Sequence, residues 1–280
     1  MSDPRWETPE RERFRTLFDE DPDAYDRSRP VAPAAVFDDL VALAGLGPGA
    51  SVVEIGPGTG QMTRQLAERG LRILALELGA GLADRTRRNL AAFPDVEVVT
   101  TAFEAWDPGA TRFDAVAACN SFHWIDPATR FARAAAVLWP GGHLAVLATP
   151  WVIPDGADRF WWDIQDDWAA VGSDRVDPAT AHPDRVGDLA GPVAASGLFA
   201  PAEVRRTLFP VTFTADGYAT NLATQTGVKE LPPAAQAELV ARVRRRVMAG
   251  GGTITAHLLA VLTVAEVRTS GRSSRNPRAW

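Results

Sequence analysis

Between residues 51 and 148 the chain alternates two kinds of apolar pattern. Short, nearly continuous apolar runs at 51–55, 72–77, 96–100, 113–119 and 143–148 read as strands buried on both faces. Between several of them, at 61–69, 82–93 and 128–138, apolar residues recur three and four apart, the period of a helix with one buried face. Gly70, Pro94 and Pro140-Gly141-Gly142 stop these helices. The alternation predicts βαβ units with right-handed crossovers and a parallel, doubly wound sheet. Upstream, Val36, Phe37, Leu40, Val41, Leu43 and Ala44 predict a helix over 36–46, and an apolar and acidic pattern predicts a short one over 14–25. Arg29-Pro30 and Pro33 separate the two.

After Pro150 the pattern changes. Trp151, Phe160, Trp161, Trp162 and Trp168 cluster in a short acidic stretch. Partial alternation predicts a strand at 204–213, helical spacing marks 219–226 and 234–248, and an apolar, partly β-branched segment predicts a last strand near 258–264. The polar residues 1–15 read as frayed, and no internal repeat is visible.

The candidate chemistry starts where the first strand ends, in Val52-Val53-Glu54-Ile55-Gly56-Pro57-Gly58-Thr59-Gly60. A buried run, an acid, three alternate glycines and a helix start form the kind of turn that lets a ligand approach backbone at a strand end. A dinucleotide fingerprint G-x-G-x-x-G does not fit, because its third glycine would fall on Gln61 or Thr63. A phosphate loop G-x-x-x-x-G-K-[ST] is absent too. One helix and one strand further on, Glu77 ends the second strand with a carboxylate able to accept two hydroxyls; the bland reading is a solvated acid at a strand end.

VVEIGPGTG resembles the first motif of class I S-adenosylmethionine-dependent methyltransferases. The resemblance implies an α/β, Rossmann-like fold: a doubly wound, mostly parallel seven-stranded sheet with a helical cap and an N-terminal lid. It divides the chain into a lid segment 1–45, a cofactor-binding core 46–150, an inserted cap 151–203, strands and helices completing sheet and cap at 204–268, and a flexible tail 269–280. It implies S-adenosylmethionine as cofactor, with Glu54, Gly56, Gly58 and Gly60 around its amino-acid end and ribose. Glu77 would then take the ribose hydroxyls and Leu78 would pack on the adenine. Ala102 and Phe103 lie where related enzymes meet the adenine edge and face; many carry Asp at the position of Ala102, so backbone at Phe103 takes over that contact, or Phe103 only packs. Asn120 would line the methionine end.

Ser121-Phe122-His123-Trp124-Ile125-Asp126 resembles the AFHWxD segment of a subgroup around the trans-aconitate methyltransferases, which act on carboxyl or hydroxyl groups of small molecules. Tyr25-Asp26-Arg27-Ser28-Arg29-Pro30 and Gly251-Gly252-Thr253 resemble the same subgroup. There Tyr25 and Arg29 would reach over the cofactor, Arg29 pairing with its carboxylate or else bracing the lid. His123 is the candidate catalytic residue: with an ordinary pKa near 6.5 it can take a proton near neutral pH, or it orients or packs. His123, Trp124 and Trp151 are the candidate substrate-binding residues; the tryptophan cluster as a whole reads either as an apolar pocket or as the core of the cap.

Composition narrows the class without naming the acceptor. A formal net charge of -6 argues against general nucleic-acid binding, one cysteine, Cys119, allows no intrachain disulfide, and no apolar run approaches a membrane span. His143, His182 and His257 have no partners at metal-ligand spacing, so no metal is expected. The expectation is a cytoplasmic transferase that methylates an oxygen or nitrogen of a small molecule, as in secondary metabolism, with the oligomeric state open. The alternative is a cofactor-binding enzyme of the same fold that catalyses a non-methylating cyclisation or rearrangement.

Overall fold

A computed structural model describes residues 17–174 and 177–268. Residues 1–15, read as frayed, and 269–280, read as a flexible tail, lie outside the described residues. The described chain opens with a 3₁₀ turn, Leu17–Glu20, and then helices α1 (Pro22–Ser28) and α2 (Ala34–Leu43). The single helix expected over 14–25 is divided, because Asp21 caps the backbone N–H of Ala24 at 2.9 Å and Pro22 starts a fresh helix.

The core follows as β1 (Ser51–Ile55), α3 (Gln61–Ala67), β2 (Arg72–Glu77), α4 (Ala80–Asn89), β3 (Val96–Thr100), β4 (Phe113–Cys119), α5 (Arg130–Ala136) and β5 (Leu138–Ala148). Beyond it come β6 (Trp151–Val152), α6 (Phe160–Asp163), α7 (Gln165–Ala170), α8 (Ala190–Ser196), β7 (Glu203–Thr214), α9 (Ala215–Ala223), α10 (Thr226–Lys229), α11 (Pro233–Ala249) and β8 (Thr253–Glu266). The sheet runs β3-β2-β1-β4-β5-β8, with β1 to β5 parallel, β8 antiparallel to β5, and β7 along the far edge of β8. These seven strands are the Rossmann-like sheet expected. The two-residue β6 is an eighth, pairing Trp151 with Leu258 and Val152 with His257 where β8 runs past the end of β5.

Strand order reverses between β1 and β4, so their carboxyl ends splay apart and open a crevice. β1 is buried at every position and β4 at nearly all, which is why both read as continuous apolar runs. One face of the sheet is covered by α2 and α3 through Phe37, Leu40, Met62 and Leu66; the other carries Phe103, Phe122, Ala134, Val193 and Phe199. A third core lies beyond the sheet, where Phe160, Trp161, Tyr218, Leu222, Leu239 and Val243 close over the projecting ends of β7 and β8. Of the segment 151–203, helices α6 and α7 enter this cap, while 189–202 returns to the sheet and bridges Phe199 to Val267.

The cap is tied by charge as well. Asp167, 3% exposed, meets Arg246 at 2.6 Å and Arg242 at 3.2 Å, joining α7 to α11. Asp167→Ala leaves two arginines without their anion, but each keeps about a third of its side chain in water. The expected cost is therefore about 2 kcal/mol rather than the full penalty of a deeply buried pair. Asp163→Ala, which removes an exposed pair with Arg159, should cost under about 0.5 kcal/mol. Urea denaturation of the two variants checks both; equal stabilities would remove Asp167 from this role.

Candidate active site

The turn after β1 is built on three glycines with φ of +62° (Gly56), +64° (Gly58) and +91° (Gly60), a region that side chains avoid. Each also meets a different neighbour. A Cβ on Gly56 would lie 2.7 Å from Ser121 Cβ in the loop after β4. One on Gly58 would lie 3.4 Å from the Tyr25 ring, and one on Gly60 3.0 Å from Leu90 beside α4. Ser121 completes the join by donating its hydroxyl to the Ile55 carbonyl. Gly56 and Gly58 line the cavity at the strand ends; Gly60 does not, and serves instead to seat α3 against α4.

That cavity encloses about 480 Å³. Two carboxylates mark it. Glu54 is fully buried, and neither of its oxygens has a hydrogen-bond partner. Burial pushes its carboxyl up to about 8, helped by the charge of Glu77; the Thr63 hydroxyl acts the other way but stands outside hydrogen-bond geometry. Glu77 accepts Gly58 N–H at 2.9 Å through one oxygen and Gly79 N–H at 3.0 Å through the other. Burial raises its carboxyl while these backbone donors hold it down. A carboxylate has about four acceptor positions, so Glu77 keeps acceptor capacity beyond these two bonds.

Leu78, Ala102 and Phe103 form the wall beyond Glu77. The Ala102 carbonyl is taken by the N–H groups of Ala105 and Trp106, and the Phe103 carbonyl by Arg133 at 2.9 Å. Phe103 is 2% exposed and stacks on Trp106, so it packs as well as lining the wall. Cys119, read as a core residue, also reaches the cavity; burial pushes its thiol up to about 12 and keeps it protonated.

The N-terminal segment roofs the cavity. Asp19 accepts Leu82 N–H at 2.7 Å, and Arg85 pairs with Asp23 at 2.9 Å and Asp26 at 2.7 Å, which pins the segment to α4. On the other side Asn221 donates to Ser28 O at 2.9 Å and Arg29 to Thr224 O at 3.0 Å, which pins it to the cap. Arg29 thus braces the lid, stacked 4.6 Å over Tyr25; it also lines the cavity, and its buried Nε has no partner. Phe18, Thr149, Gln225, Thr226 and Gly227 line the cavity and were not singled out from sequence. Phe18 packs edge-on against both Tyr25 and Trp124, a contact between distant segments that no local motif announces.

Asn120 has a φ of +53°, alone among the described non-glycine residues. Its side chain is bound in both directions to Thr149, donating to the hydroxyl at 2.7 Å and accepting the N–H at 2.8 Å. This ties the end of β4 to the end of β5. His123 and Trp124 follow on one 3₁₀ turn with their rings 4.8 Å apart. His123 lines the cavity and is exposed by surface area, and crowding by protein atoms with the nearby Arg130 charge lowers it to about 4. Against an ordinary value near 6.5, this shift favours the neutral imidazole. Trp151 reaches the cavity from the cap, stacked on Phe213 and edge-on to Tyr218, so the tryptophan cluster is core on one side and wall on the other.

The site is a Rossmann-like sheet with a glycine turn and two acids at its strand ends. Residues 52–142 match a methyltransferase-domain family model. An uncharacterised methyltransferase of Mycobacterium tuberculosis is 33% identical over 139 residues, 50% of this chain and 52% of the relative. The chain spans about half the length of the curated relatives it matches first. Among solved structures, a candidate type II methyltransferase from Anaeromyxobacter dehalogenans has a TM-score of 0.59 at 19% identity, covering 86% of this chain and 97% of that one. Phosphoethanolamine N-methyltransferase 2 of Haemonchus contortus, solved with phosphomonomethylethanolamine and S-adenosylhomocysteine, has a TM-score of 0.51 at 16% identity, covering 90% and 59%. These likenesses establish a shared fold.

The residues present fit the cofactor of that family. An orphaned buried carboxylate at Glu54 suits an ammonium group, the glycine cradle admits no side chain, and the spare lone pairs of Glu77 suit a diol.

Without a cation beside it, Glu54 carries a pH signature. Its folded pKa lies above the unfolded value, so its contribution to stability is fully present below about pH 4.5 and is lost as pH rises towards 8. Glu54→Gln should match the wild-type melting temperature near pH 5 and exceed it at pH 8. Calorimetry across that range checks this; parallel curves would show that Glu54 is not the group responsible.

Proposed function

We propose that the chain is an S-adenosylmethionine-dependent methyltransferase that methylates an oxygen or nitrogen of a small molecule. The observation that carries this reading is Glu54, a buried acid left without a partner at the head of the glycine turn. Glu54 and the orphaned Arg29 Nε would hold the ammonium and carboxylate of the cofactor, and Glu77 its ribose. Leu78, Ala102 and Phe103 would flank the adenine. When bound, the cofactor supplies a methyl group on a positively charged sulfur, which needs no further activation.

The remaining work of the chain is positioning and water exclusion. Phe18, Tyr25 and Trp124 form the roof, and Trp151 with Gln225, Thr226 and Gly227 at the start of α10 bounds the space on the cap side. A cleft of this size suits a small acceptor rather than a polymer. His123 faces it as a neutral imidazole, able to accept a hydrogen bond from an acceptor hydroxyl or amine. A base with a conjugate acid near 4 is too weak to ionise a hydroxyl in advance. It suffices once alkylation has made that proton strongly acidic, so His123 orients first and takes the proton late. The Ser121–Asp126 resemblance supports placing the chain near the trans-aconitate subgroup, and the size of the cavity supports the small-molecule part of that placement.

Two measurements test the assignment. Glu77→Gln should weaken S-adenosylhomocysteine binding in calorimetry about 10- to 100-fold, the loss of a charge-assisted hydrogen bond. Unchanged affinity would take Glu77 out of the ribose role. His123→Ala should lower kcat by about a hundredfold while leaving S-adenosylhomocysteine affinity within about twofold. The wild-type acid limb of kcat/KM, which reports the free enzyme, should lie near pH 4 rather than 6.5; a limb at 6.5 would mean that His123 keeps an ordinary proton affinity in the free protein.

A further inference from the structure

Beside the main cavity lies a second chamber of about 180 Å³. Asn120, Ser121 and His123 line both, so the candidate proton acceptor stands between them. The chamber is walled largely by apolar groups of β5 and β8, with Arg130, the first residue of α5, on its rim. Arg130 is held by ring faces: its guanidinium carbon lies 5.5 Å from the centre of Phe122 and 5.1 Å from that of Phe131. Its Nε is buried with no hydrogen-bond partner, and no carboxylate pairs with it among the described residues. One turn on, Arg133 also has an unpartnered Nε, but its Nη2 is bound to the Phe103 and Trp106 carbonyls, an anchor Arg130 lacks.

A half-buried guanidinium that is oriented by aromatic rings and left unpaired is a binding group without its ligand. Asp188 also faces the chamber, but its Oδ1 is occupied by the backbone N–H of Ala190 at 2.9 Å. Resting on the methyl-transfer reading above, we propose that this chamber binds a carboxylate of the acceptor through Arg130, away from the atom that His123 presents for methylation. One guanidinium balances the charge of one carboxylate; a phosphate dianion calls for a second cation, and none lines the chamber among the described residues. Arg130 is on this account a specificity residue, and the acceptor is a small acid methylated at a separate hydroxyl or amine.

The test is calorimetric titration of the full chain with glutarate, its uncharged analogue glutaramide, and inorganic phosphate, each with and without saturating S-adenosylhomocysteine. Glutarate should bind at millimolar concentration or better. Glutaramide should bind at least tenfold more weakly, and phosphate more weakly than glutarate. Arg130→Met should lose at least tenfold in glutarate affinity with S-adenosylhomocysteine affinity unchanged; Arg130→Lys, which keeps the charge, should recover part of it. Asp188→Asn, which retains the capping oxygen and removes a competing charge, should tighten glutarate binding severalfold. The proposal is overturned if glutarate does not bind, if Arg130→Met binds it as well as wild type, or if glutaramide binds equally. Tighter binding of phosphate would overturn the carboxylate assignment. Failure of S-adenosylhomocysteine to bind wild type would instead sink the methyl-transfer reading, while the titrations without it still decide the role of Arg130.

Discussion

The turn after β1 works only because nothing projects from Gly56. At a φ of +62° and with Ser121 Cβ 2.7 Å from where a side chain would begin, the ends of β1 and β4 come closer than any other residue allows. That approach closes the floor of the crevice at the point where strand order reverses. The next two glycines extend the same logic. Gly58 lets Tyr25 of the roof settle on the turn, and Gly60 lets α3 start against Leu90. Floor, roof and flanking helix therefore meet on one five-residue turn, and Glu54 is carried into the cavity by the strand that precedes it.

The electrostatics follow from that geometry. Burial raises the proton affinity of both carboxyl groups, and a neighbouring charge adds to it, Glu77 acting on Glu54 and Asp19 on Glu77. Glu77 resolves the conflict with two backbone N–H donors; Glu54 does not. The site thus places two carboxyl groups where a cationic ligand is expected. The roof answers with Arg29, whose charge lies over Tyr25 and is tied by the Thr224 carbonyl to the cap. Because the N-terminal segment is pinned to α4 by Asp19, Asp23 and Asp26 and to α9 by Ser28 and Arg29, core and cap share one roof.

Much of this was legible in the sequence. Strands such as 51–55 and 72–77 are buried on both faces and so announce themselves as apolar runs, and the glycine spacing departs from both the dinucleotide fingerprint and the phosphate loop. Glu77 followed from counting elements. What could not be read shares one cause: it depends on segments far apart in the chain. Phe18, Thr149 and Gln225-Thr226-Gly227 reach the cavity from a roof, a strand end and a cap that local periodicity does not bring together. The pairing of α6 and α7 with α9 and α11 into a common core is equally nonlocal. The downward shift of His123 is nonlocal too: its sequence neighbours suggest a role, but its surroundings move its pKa.

Arg130 joins the two halves of the site into one argument. Crowding by protein atoms is the main cause of the weak basicity of His123, and the positive charge of Arg130 adds to it. On the proposed reading, an anion seated on Arg130 would offset that charge and raise the imidazole's proton affinity while the acceptor is in place. A neutral acceptor would leave the Arg130 charge uncompensated. Recognition and proton acceptance would then be coupled through a single guanidinium: the group that selects an acidic acceptor would also strengthen the base that faces it. This coupling needs no movement of the fold, since Asn120, Ser121 and His123 already stand between the two chambers.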